Sequence, residues 1–383
     1  MKQICILGAT GSIGVQALDV VRSHPESVRV ISMTAGLNVE LFAEQLKEFQ
    51  PLFAAVNRKE DALRLAAQFD QIRFSCGLDG LCEAASHPDV DMTLNALVGM
   101  IGLKPTVAAI AARKHIALAN KETLVAGGAL VMNIAKANGV SILPVDSEHS
   151  AIFQCIQNQT KPERITLTAS GGPFRGYTQP QLRTVTREQA LAHPNWDMGA
   201  KISVDSATMM NKGLEIIEAH WLFDIPPDRI DVVVHPESIL HSAVSFADGS
   251  LIGQFGWPDM KIPIAYALSY PERLPDIGKT LHLADVGMLR FEKPDMDTFV
   301  CLRLAREAIA AGESYPIVLN AANEEAVAAF LDGQILFYQI VSCVEEALQK
   351  HKSTTCSDVD EILEVEYETR QSVRSFISKE MKD

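Results

Sequence analysis

Over the first 150 residues, short β-branched apolar runs alternate with helical patterns, and glycine or polar residues stand at the end of nearly every run. The runs are 3–7, 28–34, 53–57, 92–95, 115–119 and 140–145. Helical spacing occupies 13–23, 39–49, 59–68, 104–113 and 123–138. Strands separated by helices predict an α/β, doubly wound parallel sheet of Rossmann-like type. Ligands of such sheets bind beyond the carboxyl ends of the strands. The unusual residues sit there: Gly8-Ala9-Thr10-Gly11-Ser12-Ile13-Gly14 after the first run, Gly36-Leu37-Asn38 after the second, Asn95–Gly99 after the fourth, Asn120-Lys121-Glu122 after the fifth and Asp146-Ser147-Glu148 after the sixth.

The remainder reads differently. Residues 151–270 predict a central α+β catalytic domain, with strands at 165–168, 232–234, 242–247 and 250–255; the last two flank Asp248-Gly249 in a hairpin pattern. Residues 182–200 read as a polar segment ending in a loop that carries Trp196. Residues 271–296 hold three prolines and little periodicity and read as a linker. Residues 297–383 have helical apolar spacing and no strand signal, which predicts a C-terminal helical bundle. The expected divisions are therefore 1–150, 151–270, 271–296 and 297–383.

The chain's net charge of −14 argues against nucleic-acid or anionic-membrane partners. An anionic ligand then needs local donors, such as a helix N-terminus or placed lysines. The seven cysteines are scattered without a CxxC pair, so neither a disulfide framework nor a zinc site is indicated. No signal-like segment or apolar span of membrane length is present, and a soluble cytoplasmic protein is expected.

Three groups of residues carry chemistry. Gly8, Gly11 and Gly14 join a strand to a helix, as a dinucleotide's pyrophosphate requires; a tight packing turn is the plainer alternative. The end of the second run, Met33–Asn38, lacks the carboxylate that an NAD ribose site uses, which favours NADP. No cation stands there either, and Arg58 or Lys59 after the third run are the nearest candidates for a 2′-phosphate. Asp146, Glu148 and Glu215 offer hard oxygen ligands suited to Mg²⁺ or Mn²⁺. For Asp146 and Ser147 the alternative is a helix cap near Ser150. Asn211, Lys212 and Glu215 share one face if their segment is helical. Ser170-Gly171-Gly172 suits an anion nest or a plain turn. His193 is a phosphate donor or a surface histidine, and Trp196 is a lid or a core anchor. His149 is most simply a core histidine, and His235 and His241 read as structural.

These segments resemble 1-deoxy-D-xylulose 5-phosphate reductoisomerases. The resemblance is carried by GATGSIG (8–14), NALVG (95–99), LANKETLV (118–125), PVDSEHSAIFQ (144–154), TASGGPF (168–174), HPNWDMG (193–199), KISVDSATMMNKGLE (201–215), HPESILHS (235–242), PDMKIPI (258–264) and LNAANEEAVAAFL (319–331). It implies an NADPH-dependent, divalent-metal enzyme of the methylerythritol phosphate route to isoprenoids. Such an enzyme rearranges a keto-sugar phosphate, by retro-aldol cleavage and re-addition, and reduces the branched aldehyde. By matching positions it implies that Asp146, Glu148 and Glu215 bind metal, and that Lys121 and Ser147 contact substrate near the reacting carbons. Ser170, His193, Ser206, Asn211 and Lys212 form the phosphate and chain-end set. Thr10, Gly11, Ser12, Ile13, Gly36, Asn38, Asn120, Glu122 and Gly199 contact the cofactor. Trp196 and Met198 belong to a flap, and a homodimer is implied. Two positions depart from the family pattern: Leu37, where many relatives carry Lys or Arg, and the bulky Trp257. The competing readings are a metal-independent dehydrogenase of the semialdehyde type, which needs a reactive Cys or a Lys/Asp pair and for which Cys155, in a setting that reads as buried, is the thiol near the right place, and a non-catalytic nucleotide sensor.

Overall fold

The structure is a computed structural model; it describes residues 1–196 and 198–380. The chain divides into two compact units. The first holds 1–123, 129–150 and 259–279; the second holds 124–128, 151–258 and 280–383.

The first unit is built on seven parallel strands: β1 (Lys2–Leu7), β2 (Val28–Ala35), β3 (Phe53–Val56), β4 (Arg73–Cys76), β5 (Met92–Asn95), β6 (His115–Leu118) and β7 (Ile142–Pro144). Their order is β4-β3-β2-β1-β5-β6-β7. The order reverses between β1 and β5, so the crevice beyond these two strand ends is the ligand position of a doubly wound sheet. The expected α/β class is the one observed. β1, β3 and β5 are largely or wholly buried, as strands covered on both faces by helices must be.

Two elements were not expected from the sequence. β4 and the following helix Gly77–Ala85 lie where no strand was assigned. β4 is an edge strand with partial exposure throughout, and such a strand needs no continuous apolar run. A third difference is the helix Ser147–Cys155, which begins three residues before the expected start at Ser150.

The second unit contains a four-stranded sheet in the order β11-β10-β8-β9. Its strands are β8 (Arg164–Ala169), β9 (Ile230–Val234), β10 (Leu240–Ser245) and β11 (Leu251–Phe255). β8 and β9 are parallel, while β10 runs antiparallel to β8 and to β11. The hairpin turns at Gly249, whose φ is +84°. Helices Cys301–Ala311, Tyr315–Leu331, Gln339–Lys350 and Val359–Glu380 form the expected bundle. One continuous core includes Ile165 and Leu167 of the sheet and Leu319, Val327 and Val344 of the bundle. Phe174 packs edge-on against Phe337, with ring centroids 5.0 Å apart. The α+β part and the helical part therefore share a single core.

The expected linker 271–296 is divided between the units. Residues 259–279, which include the helix Lys261–Ser269, return to the first unit. Glu292 exchanges two backbone hydrogen bonds with Val234, each 2.9 Å. The prolines signalled irregular backbone correctly, but that backbone is docked.

Candidate active site

In the first unit, the glycines act through backbone geometry. Gly8 has φ +86°, and a Cβ there would lie 2.9 Å from Ala96 O. The turn after β1 thus passes against the segment after β5. A Cβ on Gly14 would lie 2.2 Å from Gly8 O and 2.6 Å from Ala9 Cα, so only glycine allows the helix Ser12–Ser23 to begin so near its strand. The turn is fastened from β2: Gly8 N–H donates to Thr34 Oγ1 at 3.0 Å and Ala9 N–H to the Thr34 carbonyl at 2.8 Å. No acidic residue occupies the helix's first turn, so its N–H groups and dipole favour an anion. Gly11 and Ser12 are exposed, and Thr10 and Ile13 half-buried.

The adjacent Gly36-Leu37-Asn38 turn is exposed, with Leu37 at 77%. Asn38 Oδ1 accepts from Leu41 N–H at 3.2 Å and so caps the helix Val39–Phe49. Arg58 and Lys59 are exposed at the start of the helix Lys59–Ala66.

Asn120 and Glu122 shape the neighbouring loop. Asn120 Nδ2 donates to the carbonyls of Leu97 and Gly99, both at 3.0 Å, and to Glu122 Oε2 at 2.7 Å. Asn120 Oδ1 accepts from Thr123 N–H at 3.1 Å, capping the helix Lys121–Asn138. The Asn120 side-chain amide is thereby engaged within the protein, and its backbone N–H donates to the Asn95 carbonyl at 3.1 Å.

Lys121, in the first turn of that helix, forms an ion pair with Asp146 at the end of β7. Both side chains are largely buried. Ser147 Oγ donates to Glu148 Oε2 at 2.5 Å, and Glu148 N–H to Asp146 Oδ1 at 3.4 Å. His149 is fully buried, with Nδ1 3.8 Å from Asp146 Oδ1. It is a core histidine beside the carboxylate, as expected.

In the second unit, Ser170 follows β8 directly and stands in front of two glycines of positive φ, +85° and +66°. His193 Nδ1 accepts from the backbone N–H groups of Asn195 (3.2 Å) and Trp196 (3.0 Å). The proton therefore sits on Nε2, which donates to Ser170 Oγ at 2.9 Å. Gly172 N–H also donates to Ser170 Oγ, at 3.2 Å. The hydroxyl accepts twice and keeps its own hydrogen for a further acceptor. A Cβ on Gly172 would lie 2.6 Å from the Ser206 carbonyl, so this turn runs against the end of the helix Ala200–Ala207.

The next helix, Met210–Phe223, presents Asn211, Lys212 and Glu215 on one face. Asn211 Nδ2 donates to Glu215 Oε1 at 2.5 Å, and Lys212 Nζ pairs with Glu215 Oε2. Lys212 and Glu215 are 3% and 1% exposed. Asn211 Oδ1 is buried without a hydrogen-bond partner among the described residues, as a group awaiting a ligand hydroxyl or ammonium would be.

Trp196 and Met198 are half-buried in the loop before Gly199, where Trp196 lies 6.4 Å from the His241 ring. Asp197 of the HPNWDMG segment lies outside the described residues. His235 is structural: Nε2 accepts from Ile239 and Leu240 N–H, both at 3.1 Å, and Nδ1 donates to the Arg290 carbonyl. Cys155 is buried and its thiol is pushed up to about 11 by burial, so it is no thiolate nucleophile near neutrality.

Several site-shaping residues escaped the sequence reading. Gln45 donates to the Ala9 carbonyl at 3.0 Å, and Asn95 to Gly102 O at 3.1 Å and Thr106 Oγ1 at 2.8 Å. Asn195 fastens its loop to Pro236 O at 2.7 Å and Ser238 Oγ at 2.8 Å. Asn95 and Asn195 stood within noticed motifs; Gln45 had no motif to mark it.

Family models agree with this arrangement along the chain. Residues 4–128 match 1-deoxy-D-xylulose 5-phosphate reductoisomerase, 142–223 its C-terminal domain, and 255–372 the DXP reductoisomerase C-terminal domain. A 1-deoxy-D-xylulose 5-phosphate reductoisomerase of Geobacillus sp. (strain WCH70) is 53% identical over 381 residues, covering 98% of this chain and 100% of that protein. The chain belongs to the 1-deoxy-D-xylulose 5-phosphate reductoisomerase family. The family member of Pelodictyon phaeoclathratiforme is 52% identical over 382 residues, covering 99% of this chain and all of its own. Among solved structures, a family enzyme in complex with NADPH, fosmidomycin and magnesium superposes with a TM-score of 0.95 at 41% identity, covering 99% and 98% of the two chains. The Zymomonas mobilis enzyme in complex with NADPH gives 0.92 at 41% identity, covering 99% of each.

Proposed function

We propose that this chain is an NADPH-dependent oxidoreductase that converts 1-deoxy-D-xylulose 5-phosphate to 2-C-methyl-D-erythritol 4-phosphate in the non-mevalonate route to isoprenoids. The observation that carries the reading is the buried Asn211–Lys212–Glu215 face. A nucleotide-sensing protein has no use for a buried ammonium, carboxylate and unsatisfied amide oxygen on one helix. A semialdehyde-type dehydrogenase would need a reactive thiol or a Lys/Asp pair: Cys155 is no such thiol, and a dehydrogenase built on the Lys121–Asp146 pair leaves the buried Glu215 carboxylate without a role.

Asp146, Glu148 and Glu215 would hold a divalent metal, Mg²⁺ or Mn²⁺. The donor set fits: it is all carboxylate oxygen, the preference of hard cations. Asp146 and Glu215 are buried anions, each paired with a lysine, so both occupy surroundings that call for positive charge. When bound, the metal supplies Lewis-acid polarisation of substrate oxygens and NADPH supplies the hydride.

The chain's own residues bind and orient. The helix N-terminus at Gly11–Ser12 and the Thr10 hydroxyl receive the pyrophosphate, with Ile13, Gly36, Asn38, Gly199 and the Asn120–Glu122 loop completing the cofactor contacts. Ser170, with its hydrogen directed outward by two inward donors, His193, Ser206, Asn211 and Lys212 take the phosphate and chain end. Lys121 and Ser147 orient the reacting carbons beside Asp146 and Glu148. Trp196 and Met198 close over the substrate and exclude water.

The homodimer belongs to the same reading. β11 is an edge strand that exposes Leu251, Ile252 and Phe255, an apolar edge suited to cover by a second copy. No helix among the described residues is long and apolar enough to cross a membrane.

The test is oxidation of NADPH on addition of 1-deoxy-D-xylulose 5-phosphate, with and without Mg²⁺ or Mn²⁺. Metal-dependent oxidation, with the branched polyol phosphate as product, is the expected result. Oxidation that survives complete chelation, or none at all, rejects the reading.

A further inference from the structure

The phosphate set includes Ser206, but its helix is held by a residue to which no role has yet been given. Asp205 is 1% exposed near the C-terminal end of the short helix Ala200–Ala207. A carboxylate there opposes the helix dipole. Its partner Lys201 lies one turn toward the N-terminus, 3.1 Å from Asp205 Oδ2, which is the weaker orientation for such a pair. Neither feature is a gain for the helix alone. The carboxylate is explained by a tertiary contact: Asn323 Nδ2, on the fully buried face of the helix Tyr315–Leu331, donates to Asp205 Oδ1 at 2.7 Å.

A buried charge is a poor device for stability, because a well-packed apolar contact does as well or better. It differs in fixing one register, since a slide or rotation strands the carboxylate. The helix it fixes needs that precision. Its last turn carries Ser206, whose carbonyl runs against Gly172 beside Ser170. Its first turn follows Gly199, where the loop with His193 and Trp196 ends. Lys201 thus ties the loop end of the helix to the carboxylate, and Asn323 ties the carboxylate to the bundle.

We propose that Asp205 and Asn323 are positioning residues for substrate binding: they lock the helix Ala200–Ala207 to the C-terminal bundle so that Ser206 is aimed at the substrate's phosphate. This rests on the placement of Ser206 in the phosphate set.

The experiment measures KM for 1-deoxy-D-xylulose 5-phosphate, KM for NADPH and kcat for Asn323→Ala, Asp205→Asn, Ser206→Ala and the Asn323→Ala/Ser206→Ala double variant. Asn323→Ala is expected to raise the sugar-phosphate KM about ten-fold, the loss carried by a hydrogen bond to a charged group, with the NADPH KM unchanged. Asp205→Asn keeps an oxygen for Asn323 but loses Lys201, so its rise is a few-fold; being isosteric, it keeps the test open should Asn323→Ala not fold. The double variant is expected to be no worse than the poorer single one, because Asn323 acts through Ser206. Multiplying effects in the double variant, equal changes in both KM values, or an unchanged sugar-phosphate KM in Asp205→Asn would overturn the proposal. Should Ser206→Ala leave that KM unchanged, the phosphate placement itself fails and the proposal falls with it. A rise for Ser206→Ala without one for Asn323→Ala removes the proposal alone.

Discussion

The two units build the surfaces proposed here for binding from different materials. In the first, the turn at Gly8–Gly14 is made of backbone: positive φ, missing Cβ atoms and the open N–H groups of a helix start. Its own residues Gly11 and Ser12, and Gly36 and Leu37 of the turn after β2, are exposed. In the second, the surface is made of side chains taken out of water: Lys212 and Glu215 paired, Asn211 with an unsatisfied oxygen, and Ser170 held by His193. A backbone surface tolerates most side-chain changes and fails when a Cβ is added. A buried polar surface fails when one partner is removed, because the other is left charged and alone.

The largest effect should follow from Glu215→Gln. It removes a carboxylate assigned to the metal and strands the Lys212 ammonium, a break that costs about 3–5 kcal/mol for a buried pair. Turnover should be nearly abolished and the melting temperature lowered, while NADPH still binds in an equilibrium titration. Near-normal kcat at saturating Mg²⁺ would show that Glu215 is not a ligand.

Gly14→Ala breaks the other unit in the opposite manner, by addition. The new methyl would meet Gly8 O at 2.2 Å, Ala9 Cα at 2.6 Å and Ala9 C at 2.7 Å, all backbone atoms, so the turn must shift. Overpacking of this kind costs about 1–3 kcal/mol, and NADPH affinity should fall at least ten-fold. The sugar-phosphate affinity, measured by direct titration, should stay within two-fold or so of wild type, since exposed-backbone and buried-side-chain surfaces fail separately. Loss of both affinities together would erase the contrast.

Lys212→Ala sharpens it within the second unit. A charge-assisted contact to phosphate contributes about 1.5–3 kcal/mol, so KM for the sugar phosphate should rise roughly ten-fold or more. KM for NADPH should not move. An unchanged sugar-phosphate KM would leave Lys212 as a partner of Glu215 only.

The same contrast explains what the sequence disclosed. The parallel sheet was legible because buried strands read as apolar runs and because glycines with required spacing mark a backbone site. β4 was not legible, since an edge strand with partly exposed residues lacks that run. The side-chain site was legible as a roster: Asn211, Lys212 and Glu215 fall on one face at helical spacing, as the structure shows. Its wiring was not. Nothing local indicates that Asn323 reaches Asp205 across 118 residues, or that Gln45 holds the Ala9 carbonyl. The bundle's sharing of one core with the α+β part was equally hidden, because periodicity tells which face of a helix is buried and not what buries it.

The smallest effect concerns Leu37, the exposed edge of the backbone-built surface. At 77% exposure it presents no charge at the turn after β2, and Arg58 and Lys59 are also exposed. Preference for NADPH over NADH should therefore be real but reduced. Leu37→Arg should tighten NADPH by at most about five-fold, the range of a solvent-exposed ion pair, and leave NADH nearly unchanged. The gain should shrink with added salt, because the pair is screened. Both cofactors must be measured at two ionic strengths, since on a chain of net charge −14 any added cation helps any anion slightly. Equal gains for NADPH and NADH would mean that residue 37 does not face the 2′-phosphate, and removal of the Arg58 and Lys59 charges would then be the change that lowers NADPH affinity selectively.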